Sequence, residues 1–471
     1  MNVNPSPLIS AAVRFFSATA ILWVSAVQAQ YRASEEYQII GYDQPAVENS
    51  ATRLGNKLKS GELSLEYREQ RGYLDDLLAE LGIAPSSQLL VFSPTSLQHK
   101  LISPEKPRAV YFNDDTYIGF VQNSNIIEVT TIDEKQGIVF YTFDNTEGTD
   151  KYFERASQTC LVCHDTQGTM GGGVPMLMAL SSLYSTGNVP LENFSGIGNI
   201  NDTSPIDIRW GGWYVSGEHG SQKHLGNILL EDYDEVARVE AHRRGNIKDL
   251  NAAGLVDTSP YLGSGSDIVA LMVLEHQLSV QNQITYIKFK APAVLKRRGL
   301  EDYSAVERWD ELPQRARDVL PRMLGKLVER LLFFDAAPLE DSFQGNADYA
   351  RWFQTQGPAD AQGRSLRQLE LNTRLFAYPV SYLLYSEDFN SLPGYARDYV
   401  YARLAAYLEG RERYPGRHAF SDSERYPGRH AFSDSERDQA LEILLATLPG
   451  FADYTGLNSA PEPVSNTPVF Y

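Results

Sequence analysis

The 471 residues carry 42 Lys and Arg against 60 Asp and Glu, a formal net charge of −18 at pH 7. That balance excludes nucleic acid as a partner, which needs a basic face, and leaves either steering of a basic protein partner or plain solvation of an acidic exterior. A chain this long exceeds the roughly 100–150 residues of one domain, so two or three packed modules are expected.

Arg14 is the one basic residue ahead of an apolar run over 15–27, and Val27-Gln28-Ala29 supplies small residues where a signal peptidase reads. We expect residues 1–29 to be a cleaved signal peptide, the mature chain to start near Gln30, and the protein to be periplasmic or secreted. Ser17, Thr19 and Ser25 interrupt the run, and no other segment approaches a membrane-spanning length, so no transmembrane segment is expected in the mature chain. Loss of Arg14 takes the net charge to −19.

From 31 to 85 the pattern is helical, with Tyr67 and then Tyr73-Leu74, Leu77-Leu78 and Leu81 at steps of three and four before Gly82. Short β-branched and aromatic runs follow at 88–92, 109–112, 117–121, 126–130 and 138–142. Ser93-Pro94, Asn113-Asp114-Asp115, Asn123-Ser124-Asn125 and Lys135-Gln136-Gly137 separate them. These predict an antiparallel sheet of four or five strands, which with the helical cap makes a first module over 30–148.

The sheet leads into Cys160-Leu161-Val162-Cys163-His164, which holds both cysteines of the chain. On a helix, positions i, i+3 and i+4 share a face, so two thiols can reach two vinyl groups of a c-type haem while the next imidazole meets the iron. Phe153 and Ala156 continue the stripe upstream, Thr149 or Asp150 is placed to cap it, and Gly168 with Gly171-Gly172-Gly173 ends it. A dithiol redox pair lacks the strand-turn-helix setting of thioredoxins, a structural zinc lacks its second ligand pair, and a disulfide across three residues is strained and closes almost no loop. The motif resembles that of the c-type cytochromes, which implies thioether bonds at Cys160 and Cys163 and proximal iron ligation by His164.

The haem-binding region is expected over 149–290. It includes the aromatic block Arg209-Trp210-Gly211-Gly212-Trp213-Tyr214, which reads as strand-like, and then His219 and His224 in a glycine-flanked loop. Ser266 or Asp267 starts an apolar helix to about 280, with Val269, Met272, Val273, His276 and Val280 on one stripe and Glu275 off it. Beyond it, helices at 319–334, 366–375, 380–385, 396–408 and 439–448 make an α-helical domain over 291–471. The twelve residues 412–423 recur identically over 424–435, too short a period for a solenoid; this is a tandem duplication in a surface loop, and its His418 and His430 are poor ligands.

The fold class expected is α+β, mainly helical, with a small antiparallel sheet preceding a c-type haem helix and an α-helical C-terminal domain. The blocks SQLLVFS, PRAVYFNDD, RWGGWYVSGEHG, DIVALMVLEHQ and TRLFAYPVSYLLYS are similar to those of large exported monohaem cytochrome-c-like proteins of bacteria. That resemblance implies one covalent haem c with its iron, and periplasmic redox work. Function then turns on the sixth iron position. Met170, Met176 and Met178 flank the glycine run, His276 has a helix and an apolar face behind it, and His219, His224 and Arg209 are residue types for a distal polar pocket. The first expectation is an electron-transfer cytochrome with a redox partner protein, basic in charge, and a histidine as sixth ligand, His276 before His224. The alternative is a haem-dependent oxidoreductase, peroxidase- or oxygenase-like, using the distal histidines as acid-base groups.

Overall fold

The computed structural model describes residues 35–45, 48–148, 151–165, 173–183, 198–230, 245–412 and 432–456. The expected signal peptide, the capping residues Thr149 and Asp150, Gly168, Met170 and most of the duplication, with His418 and His430, lie outside the described residues. Among the described residues no helix is long and apolar enough to cross a membrane.

Three helices, α1 (Glu35–Ile40), α2 (Ser50–Ser60) and α3 (Leu74–Glu80), make up the N-terminal cap. Asn49 and Thr52 cap α2 reciprocally, and Gly61 closes it in the left-handed conformation that glycine adopts without cost. The sheet has six strands in sequential order: β1 (Leu89–Val91), β2 (Arg108–Phe112), β3 (Thr116–Phe120), β4 (Ile126–Asp133), β5 (Gly137–Asp144) and β6 (Phe153–Arg155). Every neighbour is antiparallel. Five strands fall on the expected runs. The sixth corrects the expectation for Phe153, which was placed on a helix: it pairs with Phe143, ring centroids 5.0 Å apart, because two aromatic rings across an antiparallel pair outweigh the weak helical signal of so short a stretch. The next helix, α4, is therefore only Ser157–His164.

A two-stranded ribbon, β7 (Ala179–Ser181) with β8 (Gly198–Ile200), follows. The block at 209–214 is not a strand. Trp210 takes φ +67° and Gly212 φ +83°, which turn the chain, and only Trp213 makes a bridge, to Val91.

The helix expected to stop near 280 runs on as α5 (Ile268–Arg297), 30 residues long. Asp267 caps it by accepting from the Ala270 amide. Its polar stretch does not end it, because each amide side chain finds a backbone carbonyl: Gln281 Nε2 donates to Asp114 O at 2.6 Å, Asn282 Nδ2 to Leu177 O at 2.8 Å and Gln283 Nε2 to Met323 O at 3.0 Å. From Ile268 to Thr285 every residue is buried, so α5 is the axis of an apolar core that continues from Tyr37 to Phe451. Lys288 extends the same logic to charge, with its Nζ 2.8 Å from Asp388 Oδ1, both side chains nearly inaccessible.

Around α5 pack α6 (Gln314–Arg317), α7 (Pro321–Leu331), α8 (Ala347–Thr355), α9 (Glu387–Asn390), α10 (Gly394–Leu408) and α11 (Asp434–Thr447). Two expected helices are corrected. The segment 366–375 is folded as turns, bridged from Leu369 to Phe376, and 380–385 yields one 3₁₀ turn, Tyr382–Tyr385, capped by Ser381. The observed architecture is α+β.

The second copy of the duplication ends in the cap of α11. Ser433 and Glu436 form a capping box, and the Arg374 guanidinium lies 4.4 Å from the centre of the Phe432 ring. Deleting 424–435 brings Phe420 and Ser421 of the first copy to the same distance ahead of Glu436, so cap and ring contact are restored by identical residues. We expect this deletion to leave the melting temperature within about 2 °C of wild type in a calorimetric scan, since no named stabilising feature is lost. A drop of several degrees would show that the removed copy is packed.

Candidate functional site

The Cys-x-x-Cys-His segment is held by the sheet it follows. The Ala156 amide donates to Phe140 O at 2.9 Å, which seats the start of α4 on β5, and the His164 ring lies 4.8 Å from that of Phe140. Two contacts join His164 to residue 176: the Met176 amide donates to His164 O at 3.0 Å, and His164 Nδ1 is 2.7 Å from Met176 O. A carbonyl only accepts, so the hydrogen sits on Nδ1 and the lone pair on Nε2. Burial pushes the His164 pKa below its ordinary value, against the opposing pull of that hydrogen bond, which favours the neutral ring. A neutral imidazole with Nδ1 tied to a backbone carbonyl has the form in which histidine ligates a metal through Nε2.

The two cysteines differ. Cys163 is exposed, next to Val162 at 66% exposure, whereas Cys160 is partly buried against the core. Burial, with Glu128 and Cys163 adding to it, pushes the Cys160 thiol up to about 12. A redox dithiol requires a thiolate at neutral pH, and Cys160 is displaced the other way. Among the described residues no three His, Cys, Asp or Glu side chains converge in the way a structural zinc requires. A thioether sulfur bears no charge and loses nothing by burial, so the donor set Cys160, Cys163 and His164 fits a covalently attached haem.

Comparison with protein-family models, with curated proteins and with solved structures finds no match.

The residues expected on the distal side are placed as follows. His276 is fully buried, and both its nitrogens are engaged: Nδ1 lies 2.7 Å from Asp202 Oδ2 and Nε2 2.7 Å from Ser381 Oγ, while Phe333 packs 4.6 Å from the ring. Ser381 Oγ also accepts from the Leu383 amide. The order Asp–His–Ser is that of a hydrolytic triad, but the serine and histidine are both at 0% exposure, and the arrangement acts here as a polar clamp joining α5 to residues 202 and 381. Both nitrogens of His276, the first candidate for sixth ligand, are thus hydrogen-bonded within the fold. We expect His276→Ala to leave the visible absorption of the isolated protein unchanged while costing about 3 kcal/mol or more in a urea melt, through an emptied ring site and unpaired Asp202 and Ser381. A displaced Soret band would show His276 to be a ligand.

Arg209 is likewise committed. Its Nη1 is 2.5 Å from Glu275 Oε2, its Nη2 donates to Asp202 O at 3.0 Å and its Nε to Ser204 O at 2.8 Å, and Trp210 Nε1 holds Glu275 Oε1 at 2.9 Å. Glu275, expected off the apolar face, is thus the buried partner of this guanidinium. His219 and His224 are buried, not loop-surface residues, with ring centroids 4.6 Å apart. His219 Nδ1 is 2.5 Å from Gln222 O, and His224 Nδ1 accepts from the Gly226 amide at 2.9 Å. The Met176 carbonyl faces His164 Nδ1, and Met178 is half-buried ahead of β7.

Asp202, Glu275, Asn282 and Ser381 complete these arrangements, and the spacing of the motif gives no sign of them. The available signal was chemical: a carboxylate and a run of amides inside a helix otherwise apolar need buried partners.

Proposed function

We propose that the chain is a monohaem c-type cytochrome that carries single electrons, with haem c bonded through Cys160 and Cys163 and its iron held by His164. The observation that carries this reading is the Nδ1–Met176 carbonyl bond, which leaves Nε2 of a half-buried neutral imidazole one residue beyond a cysteine pair in attachment spacing. When bound, the haem supplies a one-electron couple whose potential depends on its ligands and burial. The chain's part is to bond the porphyrin edge at α4, to orient the imidazole through Met176, and to back it with Phe140. The oxidoreductase alternative needs a free cation and a free acid-base group at one pocket, and Arg209 is spent on Glu275, so electron transfer is preferred. Export to the periplasm and a basic redox partner, met by the acidic surface, belong to the same proposal.

A pyridine haemochrome spectrum and an intact mass of the exported protein test the reading together. One haem per chain that stays with the protein in acidic butanone is expected; haem that extracts, or no haem at all, overturns it.

A further inference from the structure

We infer that Asn282, on α5, is a positioning residue for the His164 imidazole, acting through the peptide unit between Met176 and Leu177. Resting on the proposed haem ligation by His164, the inference extends it to a residue more than a hundred positions along the chain.

The Leu177 amide donates to Asn282 Oδ1 at 2.8 Å, and Asn282 Nδ2 donates to Leu177 O at 2.8 Å. One side chain thus grips both backbone groups of one residue. The Leu177 N–H and the Met176 C=O belong to the same planar trans amide, so fixing the direction of the one fixes that of the other. That carbonyl is the group 2.7 Å from His164 Nδ1. The chain of contacts runs from Asn282 through a rigid amide to Nδ1–H, and so to the tautomer and tilt of the ring that presents Nε2. Polarisation runs the same way, because an amide whose N–H is donating is a stronger acceptor at its oxygen.

Asn282 is equipped for the task. It is buried at 6% exposure, in a helix buried on every side at that level, so the clamp has a stiff mount and little competition from water. The alternative mount for Met176 is the residue 173–175 stretch, which enters through Gly173 at φ +69°. An asparagine has the needed chemistry, one acceptor and one donor fork on the same short arm; Asp lacks the donor and Leu lacks both.

The test uses the isolated protein, labelled with ¹⁵N-histidine, as wild type, Asn282→Ala, Asn282→Asp and Gln281→Ala. Gln281 is the neighbouring buried amide, and its Nε2 bonds Asp114 O, so its loss weakens the same helix without touching Leu177. Exchange of the His164 Nδ1 hydrogen with solvent is expected to quicken by about tenfold in Asn282→Ala, the size of effect that losing one net hydrogen bond gives, and less in Asn282→Asp, which still accepts from Leu177. Gln281→Ala should exchange as wild type. In the haem-loaded protein the midpoint potential should move upward in the same order, because a weaker Nδ1–H bond makes the imidazole a poorer donor to oxidised iron. Equal exchange in wild type and Asn282→Ala, or an equal rise in Gln281→Ala, overturns the inference. Absence of haem overturns the ligation reading instead, and the exchange comparison on the haem-free chain still decides whether Asn282 holds the ring. Should Asn282→Ala fail to fold, Asn282→Asp carries the comparison.

Discussion

Replacing Cys160 and Cys163 together by alanine is expected to abolish covalent haem in the exported protein, with loss of the Soret band from material denatured in acidic butanone. The argument is stoichiometric: these are the only two cysteines of the chain, and each would contribute one thioether. The single substitutions should differ. Cys163 is exposed at the end of α4, whereas Cys160 is packed against the core with its thiol pushed up to about 12. A partly buried, protonated thiol is a poor reactant once the fold has closed around it, so attachment at Cys160 should depend on reaction with the unfolded chain, and purified folded haem-free protein should couple haem at Cys163 first. Mass spectrometry of tryptic haem peptides from Cys160→Ala, Cys163→Ala and the double variant would read this directly. Undiminished covalent haem in the double variant would end the cytochrome reading. His164→Ala should retain covalent haem but displace the Soret band, since it removes the proposed iron ligand and neither sulfur.

Arg209→Leu should be among the most destabilising substitutions in the chain, costing about 3–5 kcal/mol at pH 8, because it strands the buried Glu275 carboxylate with only Trp210 Nε1 as donor. The pH dependence has a definite sign. Burial pushes Glu275 up to about 7 from its ordinary 4.5, against the opposing pull of Arg209 and Trp210. The folded state therefore holds this proton more tightly than the unfolded one. The stability the group contributes is full below about pH 4.5 and is lost as pH rises through about 7. Without Arg209 the folded pKa rises further, so the deficit of the variant should be largest at pH 8 and shrink toward pH 5.5, where the carboxyl is protonated in the fold. Urea melts of wild type, Arg209→Leu and Arg209→Leu/Glu275→Gln at both pH values test this, the double variant recovering part of the loss at pH 8. A deficit under 1 kcal/mol, or one independent of pH, would show that the pair is not the closed ion bridge described here. Catalysis by Arg209 on a bound ligand would instead show as lost turnover with stability intact.

Several features were determined by local chemistry and so were legible in the sequence. Two thiols and an imidazole at i, i+3 and i+4 meet one side of a helix wherever that helix is placed. The first five strands are bounded by turn residues whose preferences act over a few positions, and Asp267 caps α5 with its own side chain. The rest depended on partners far along the chain. Phe153 became a strand because Phe143 stood opposite it, and α5 ran 17 residues past the expected end because carbonyls of Asp114, Leu177 and Met323 came to meet its amides. His276 was read as a ligand from an apolar stripe, a pattern that says the residue is buried and is silent about what its nitrogens touch; Asp202 and Ser381, 74 and 105 positions away, decided that. The orientation of His164 likewise rests on Met176 and Asn282. Hydrogen bonds of buried polar groups are short-ranged and directional, so they are specified only when the fold has brought the donor to its acceptor, whereas periodicity and capping are written in neighbouring residues.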